Sequence, residues 1–190
     1  IRQMLNDFDK LLGFHCAPTL MGIKEANLIC CAKKQFADIS DLLSEYNAFL
    51  NHKGLYLEPL WETERRVLVL VYQKKKLTES LKEPKVINFL EKYGYQENMT
   101  FNELLDNLKK NVSATGDFPH EIGVFLGYPI EDVEGFILNK GKNCQVCGCW
   151  KVYSDVENKL KLFEKYTKCR DVVCSYINRG ASIRQLMQAG

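Results

Sequence analysis

The sequence lacks any long apolar run. Its longest, Val67 to Tyr72, falls far short of the roughly 20 residues that a membrane-spanning helix needs. Ile1 to Leu12 mixes polar and apolar residues, with no basic start leading into an apolar stretch, so no secretory signal is expected. Charge of either sign is barely in excess: Lys+Arg of 26 against Asp+Glu of 24 leaves +2. A dedicated nucleic-acid binder needs a strongly basic face, and that class is excluded. Gly123, Gly127 and Gly135 are not followed by the Gly-Lys-Ser/Thr ending of a phosphate loop. G-x-S-x-G, H-E-x-x-H and dinucleotide fingerprints are missing too, which argues against the familiar hydrolase, metalloprotease and nucleotide-binding classes. No repeat, low-complexity tract or long linker breaks the chain. Histidine is scarce, with only His15, His52 and His120.

What is present is ordinary for a globular protein: 190 residues, 46% hydrophobic and 26% charged. A chain of this length buries roughly two thirds of its unfolded surface, so a core forms without staples. One domain over residues 1–190 is expected, and collagen-like, disordered and disulfide mini-protein classes are excluded. The chain opens at Ile1 rather than Met, so an upstream segment is expected to have been removed. A cytoplasmic location is the simplest reading. Cysteine is abundant for that compartment: Cys16, Cys30, Cys31, Cys144, Cys147, Cys149, Cys169 and Cys174. In reducing surroundings such residues are buried, catalytic or metal-binding rather than bridged.

Periodicity predicts a helix over Ile1 to Leu12, stopped by Gly13, then a turn through Phe14 to Leu20 in which Pro18 opens the next helix. Ala26 to Ala32 reads as a buried strand and Asp38 to Asn51 as a helix. Gly54 to Trp61 and Arg65 to Gln73 read as paired strands. The second is apolar at every position from Val67 to Val71, so it belongs at the centre of a sheet. Helices are expected at Lys74 to Ser80, Pro84 to Tyr93, Phe101 to Asn111 (with Thr100 as N-cap), Phe118 to Leu126, Ile130 to Leu138 and Asp155 to Ile177. A short helix opened by Gly180 and Ser182 closes the chain. Asn111 to Asp117 is the most loop-like interval, and Cys149 to Tyr153 is a further strand. The sum is an α+β fold in a single domain, with a small mixed or antiparallel sheet of about four strands covered by several helices.

Three segments carry a resemblance: His15-Cys16-Ala17-Pro18-Thr19-Leu20; Phe118-Pro119-His120-Glu121-Ile122-Gly123 running on to Gly127-Tyr128-Pro129; and Trp150-Lys151-Val152-Tyr153. Together they resemble a family of domains of unknown function, about as long as this chain, from anaerobic Gram-positive bacteria. The resemblance covers nearly the whole chain and implies a single cytosolic domain. It supplies no activity and no catalytic residue. Genes for such domains often stand near flavodoxin-like and ferrous-iron transport genes, which implies redox or iron physiology.

Three clusters can carry chemistry. In the first, Cys16 is a nucleophile if Pro18 places it at the positive end of a helix and an imidazole activates it. Adjacent His15 points elsewhere in an extended segment, so His120 would serve as base in a shared pocket of His15, Cys16 and His120. The alternative is a packed turn around a buried thiol. In the second, His120 beside Glu121 is a base or an oriented ligand, or else a histidine that merely bonds backbone near a helix start. In the third, Cys144, Cys147 and Cys149 form a C-x2-C-x-C cluster that Cys169 or Cys174 completes if their helix folds back. Such a set would hold zinc or iron; otherwise these are small residues at a strand entrance.

Two functions follow as expectations. One is a cytosolic thiol- or metal-dependent protein. The other is a non-catalytic binding module for a partner protein or small cofactor, with Tyr128, Trp150, Tyr153 and Trp61 as anchors. Neither nucleic acid nor membrane insertion belongs to either.

Overall fold

The computed structural model describes residues 2–36, 38–115 and 118–188. It divides into two compact units: Ile1–Lys76 with Tyr166–Gly190, and Leu77–Lys165.

The first unit is built on an antiparallel sheet of β1 (Ala26–Ala32), β2 (Leu55–Glu62) and β3 (Arg66–Gln73) in the order β1-β3-β2. β3 is central, as its unbroken apolar run demands: Val67 to Tyr72 are all buried, on both faces. Pro59 sits in β2, an edge strand, where its missing N–H breaks no ladder. The register slips between Pro59 and Trp61, which makes Leu60 a bulge. On β1, Cys31 points into the core and Cys30 outward, as alternation requires; burial pushes the Cys31 thiol up to about 12. The apolar run from Ala26 to Ala32 reads as wholly buried, and Cys30 corrects that reading, since alternation turns its side chain to solvent.

α1 (Arg2–Leu20) corrects the sequence reading. It does not stop at Gly13, and Pro18 lies inside it rather than opening a new helix. Gly13 serves close packing: a Cβ there would sit 2.3 Å from Ile177 Cδ1 on α8 (Val156–Asn178). Pro18 falls in the last turn, where it forfeits one helical bond, and its own carbonyl accepts from Ile23 N (2.7 Å) and Lys24 N (3.1 Å). Phe8, Leu12, Cys16 and Leu20, four residues apart, make one buried stripe. They join α2 (Ile39–Leu50), the inner sheet face, Val173 and Ile177 of α8 and Ile183 and Met187 of α9 (Ile183–Gln188) in one core.

Two polar ties lock this unit. Asn47 of α2 donates from Nδ2 to Leu57 O and accepts from Leu57 N at Oδ1, both at 2.9 Å. Tyr46 Oη donates to Asp9 Oδ1 at 2.7 Å. Burial is the main influence on Asp9 and raises its pKa, against the lowering effect of the bonds from Tyr46 and the Ile183 backbone. A raised folded-state value means that this carboxyl favours folding when protonated, and that the contribution is lost as pH rises through that value. Asp9→Asn keeps an acceptor and discards the charge. Its Tm relative to the unmodified protein is therefore expected to climb between pH 4 and pH 7; a flat difference would show that the buried charge has no cost.

The second unit holds α4 (Pro84–Glu91), α5 (Phe101–Thr115), α6 (Ile122–Phe125), α7 (Ile130–Leu138) and a ribbon of β4 (Val146–Cys147) and β5 (Lys151–Val152). α3 (Lys74–Leu81) crosses between the units at Lys76, and α8 crosses at Lys165. Thr100 caps α5 as expected, in a reciprocal box: Thr100 N donates to Glu103 Oε2 at 2.7 Å and Glu103 N to Thr100 Oγ1 at 3.3 Å. α5 runs on to Thr115, through most of the expected loop; Gly116 and Asp117 of that loop, like Ile1, lie outside the described residues.

Two further expectations are corrected. The helix expected from Phe118 shrinks to Ile122–Phe125, because Phe118 and Pro119 precede it without regular structure. The single strand expected over Cys149 to Tyr153 is instead a hairpin, with Val146 paired to Val152 and Cys147 to Lys151. Cys149 therefore falls in its turn. The described residues thus make an α+β fold of a three-stranded antiparallel sheet, a two-stranded ribbon and nine α-helices. No helix among them is long and apolar enough to cross a membrane.

Candidate functional site

Of the residues expected to carry chemistry, His15, Cys16 and Cys169 belong to the first unit, and His120, Cys144, Cys147 and Cys149 to the second. Cys16 is wholly buried within α1, not at a helix start. Burial pushes its thiol far above the ordinary range, and neighbouring Cys31 adds to this while Lys24 opposes it. A thiol so held is neither ionised nor reachable at neutral pH. His15, one position before it, faces the other way. It is exposed, edge-on to Phe14 at 5.0 Å, and burial lowers its pKa. His15 lines an open groove of the first unit together with Lys10, Phe14, Arg170 and Cys174, so the thiol sharing its groove is Cys174 and not Cys16.

The cysteine cluster sits on the ribbon of the second unit. Cys144 is half-buried, while Cys147 and Cys149 are exposed. Val146 and Cys147 belong to the ladder with β5, so the C-x2-C segment is partly strand rather than a turn closing around an ion. Cys169 lies on α8 against the core of the first unit. Among the described residues no three His, Cys, Asp or Glu side chains come together as a metal-holding group.

His120 is where the second unit opens. It precedes α6, is exposed, and lines a cleft of about 540 Å³ with Phe118, Pro119, Gly123, Tyr128, Phe136, Trp150 and Lys151. The wall is aromatic and ordered. Trp150 stacks on Tyr128 with centroids 4.9 Å apart, and Phe163 meets Trp150 edge-on at 4.6 Å. Burial chiefly, and then the neighbouring Cys149 thiol, push the Tyr128 hydroxyl up, so it stays protonated. The floor is α6, all four of whose residues are buried. Gly123 is required there: a Cβ would stand 3.0 Å from Val133 Cγ2 and 3.2 Å from Tyr128 Cδ2.

The wall is held by Asp132, in the first turn of α7 and almost wholly buried. Its Oδ2 accepts from Trp150 Nε1 at 2.7 Å. Its Oδ1 accepts from Tyr153 N at 2.8 Å and Ser154 N at 3.2 Å, and Lys159 Nζ lies 3.8 Å away. One carboxylate thus fixes the indole, the end of the ribbon and a lysine. Behind it, Gly135 lets the Tyr153 ring pack onto α7, where a Cβ would come within 2.6 Å of Tyr153 Cγ. Tyr153 and Trp61 are not cleft residues: the first packs behind α7, and the second pairs with Leu68 in the sheet of the other unit.

Sequence reasoning found His120, Tyr128 and Trp150 but missed Asp132, Phe136 and Lys151. Asp132 reads as an ordinary acidic residue in a helix first turn, and Lys151 as an ordinary strand lysine. The only signal was their proximity to aromatics in the quoted segments.

An α+β chain of two compact units, one carrying an aromatic cleft, is what the fold and site define. The chain belongs to the family described as "Protein of unknown function (DUF3793)", whose profile matches residues 12–187. The expected membership of a family of unknown function is thereby met. No curated protein and no solved structure matches the chain.

Proposed function

We propose that this protein is a cytoplasmic binding module that takes a small, largely apolar ligand into the cleft of its second unit. The observation that carries this reading is the cleft itself. Its volume of about 540 Å³ lies within the 300–1,000 Å³ usual for small-molecule sites, it is walled by aromatics, and few polar groups converge on it. Two large apolar side chains on its wall, Phe118 (55% exposed) and Phe136 (38% exposed), are left facing water, an expense that a ligand would offset. Eight cysteines, all thiols, suit a reducing compartment.

The thiol or metal reading, with its redox or iron physiology, draws its support from Cys147 and Cys149, the exposed thiols of the ribbon. Stoichiometric zinc or iron in purified protein, lost on Cys147→Ser, would favour it over the reading adopted here.

The direct test uses a neutral solvatochromic dye such as Nile red. Binding to the full chain is expected to weaken by about tenfold in a Phe118→Ser/Phe136→Ser variant, the loss of roughly 1.4 kcal/mol of apolar contact. Both residues are exposed enough that Tm should hold. Equal dye binding in the two proteins would end the proposal.

A further inference from the structure

The charge inventory of the cleft says more about its occupant, and this step rests on the ligand-binding reading above. Asp132 is its one lining carboxylate among the described residues, and both its oxygens are already engaged by Trp150, Tyr153 and Ser154, with Lys159 opposite. Three of its roughly four acceptor sites are taken, and the Lys159 ammonium stands beside the oxygen that holds the fourth. Lys151 is different. Its ammonium carries three donors. One is given to Gly141 O at 2.7 Å, and the group lies 5.7 Å from the centroid of the Phe136 ring. No carboxylate among the described residues forms an ion pair with it. Gly141 has φ of +71°, a conformation that favours glycine, and a Cβ there would lie 3.1 Å from the Phe136 ring and 3.6 Å from Lys151 Nζ. The ammonium is therefore positioned by a carbonyl and a ring face, with donors to spare, on the lining of a largely apolar cleft. The imidazole of His120 approaches the same ring, at 6.1 Å between centroids, and adds a second nitrogen-bearing group there.

We infer that the ligand is a small apolar or aromatic carboxylate, with its hydrocarbon body against Phe118, Tyr128, Phe136 and Trp150 and its carboxylate on Lys151. The sign follows from the inventory: the spare polar capacity is that of a cation, and the one lining anion is satisfied. The count follows too. A single ammonium matches a monoanion, whereas a phosphate dianion would bring a second charge with no second lysine lining the cleft and with Asp132 on its wall.

The test compares two probes that share a body, 2-naphthoate and 2-naphthylmethanol, by calorimetric titration of the full chain. Naphthoate is expected to bind about tenfold more tightly than the alcohol. Lys151→Met is expected to remove that preference, with the alcohol unchanged within about twofold, and Lys151→Arg to retain most of it, since a guanidinium still offers a charge-assisted bond to a carboxylate. Raised salt should narrow the preference. Equal binding of acid and alcohol by the unmodified protein would overturn the carboxylate assignment while leaving the cleft a ligand site. So would an equal loss of both on Lys151→Met. Failure of both probes together with Nile red would overturn the ligand-binding reading beneath it.

Discussion

Replacing Asp132 by alanine is expected to cost about 3–5 kcal/mol of stability, the usual consequence of removing one partner from a buried charged pair. Three donors lose their acceptor at once: the Trp150 indole N–H and the backbone N–H groups of Tyr153 and Ser154. Lys159, whose side chain is only 12% exposed, is left facing an apolar gap. The ribbon then keeps its short β4–β5 ladder, the Lys151 bond to Gly141 O and the packing of Trp150 on Tyr128 and Phe163, but loses its buried polar anchor, so the cleft should go before the rest of the fold. Asp132→Asn retains an acceptor for the backbone pair and surrenders the charge, and is expected to lose less. Urea titration gives the stabilities, and Nile red the cleft. An alanine variant within about 1 kcal/mol of the parent would show that packing of Trp150 on Tyr128 and Phe163, rather than the carboxylate, fixes the wall.

The second large effect concerns thiol reactivity. Under native conditions at neutral pH, iodoacetamide is expected to modify Cys30, Cys147 and Cys149 readily, whereas Cys16 should react at least about 10³-fold more slowly. Two causes keep the closed state unreactive. Cys16 is wholly buried, so reagent reaches it only on opening, and marginal domain stabilities set that population near 10⁻³ or below. Its thiol is also held protonated by burial. Peptide mapping of a short labelling pulse reads this out. Rapid native labelling of Cys16 would revive it as a nucleophile; slow labelling leaves the exposed ribbon thiols as the reactive ones.

Particular residues show how much could be read in advance. The central place of β3 was legible because every residue from Val67 to Val71 is apolar, and only a strand covered on both sides tolerates that. The cap at Thr100 was legible because the box needs only residues three apart. α1 was misread at Gly13 and Pro18, both ordinary punctuation for a helix. Here the glycine answers to a neighbouring helix far along the chain, and the proline sits where the broken bond costs least. The cleft was half legible. Tyr128 and Trp150 announce themselves as large amphipathic rings, but Asp132 and Lys151 gain their roles from what lies 18 and 10 residues away, at Trp150 and Gly141. No local pattern encodes such pairings.

The bond pair between Asn47 and Leu57 has a consequence for how copies of this chain behave in a crowded solution. β2 lies at the edge of its sheet, and the amide of Asn47 occupies the Leu57 N–H and C=O, groups that would otherwise lie open to an incoming strand. Two residues on, Pro59 offers no donor, and the bulge at Leu60 then throws the ladder out of step. An arriving extended chain thus meets a blocked rung, a missing rung and a skewed one in succession. Colloidal solubility, no less than fold stability, is written into that short stretch of edge.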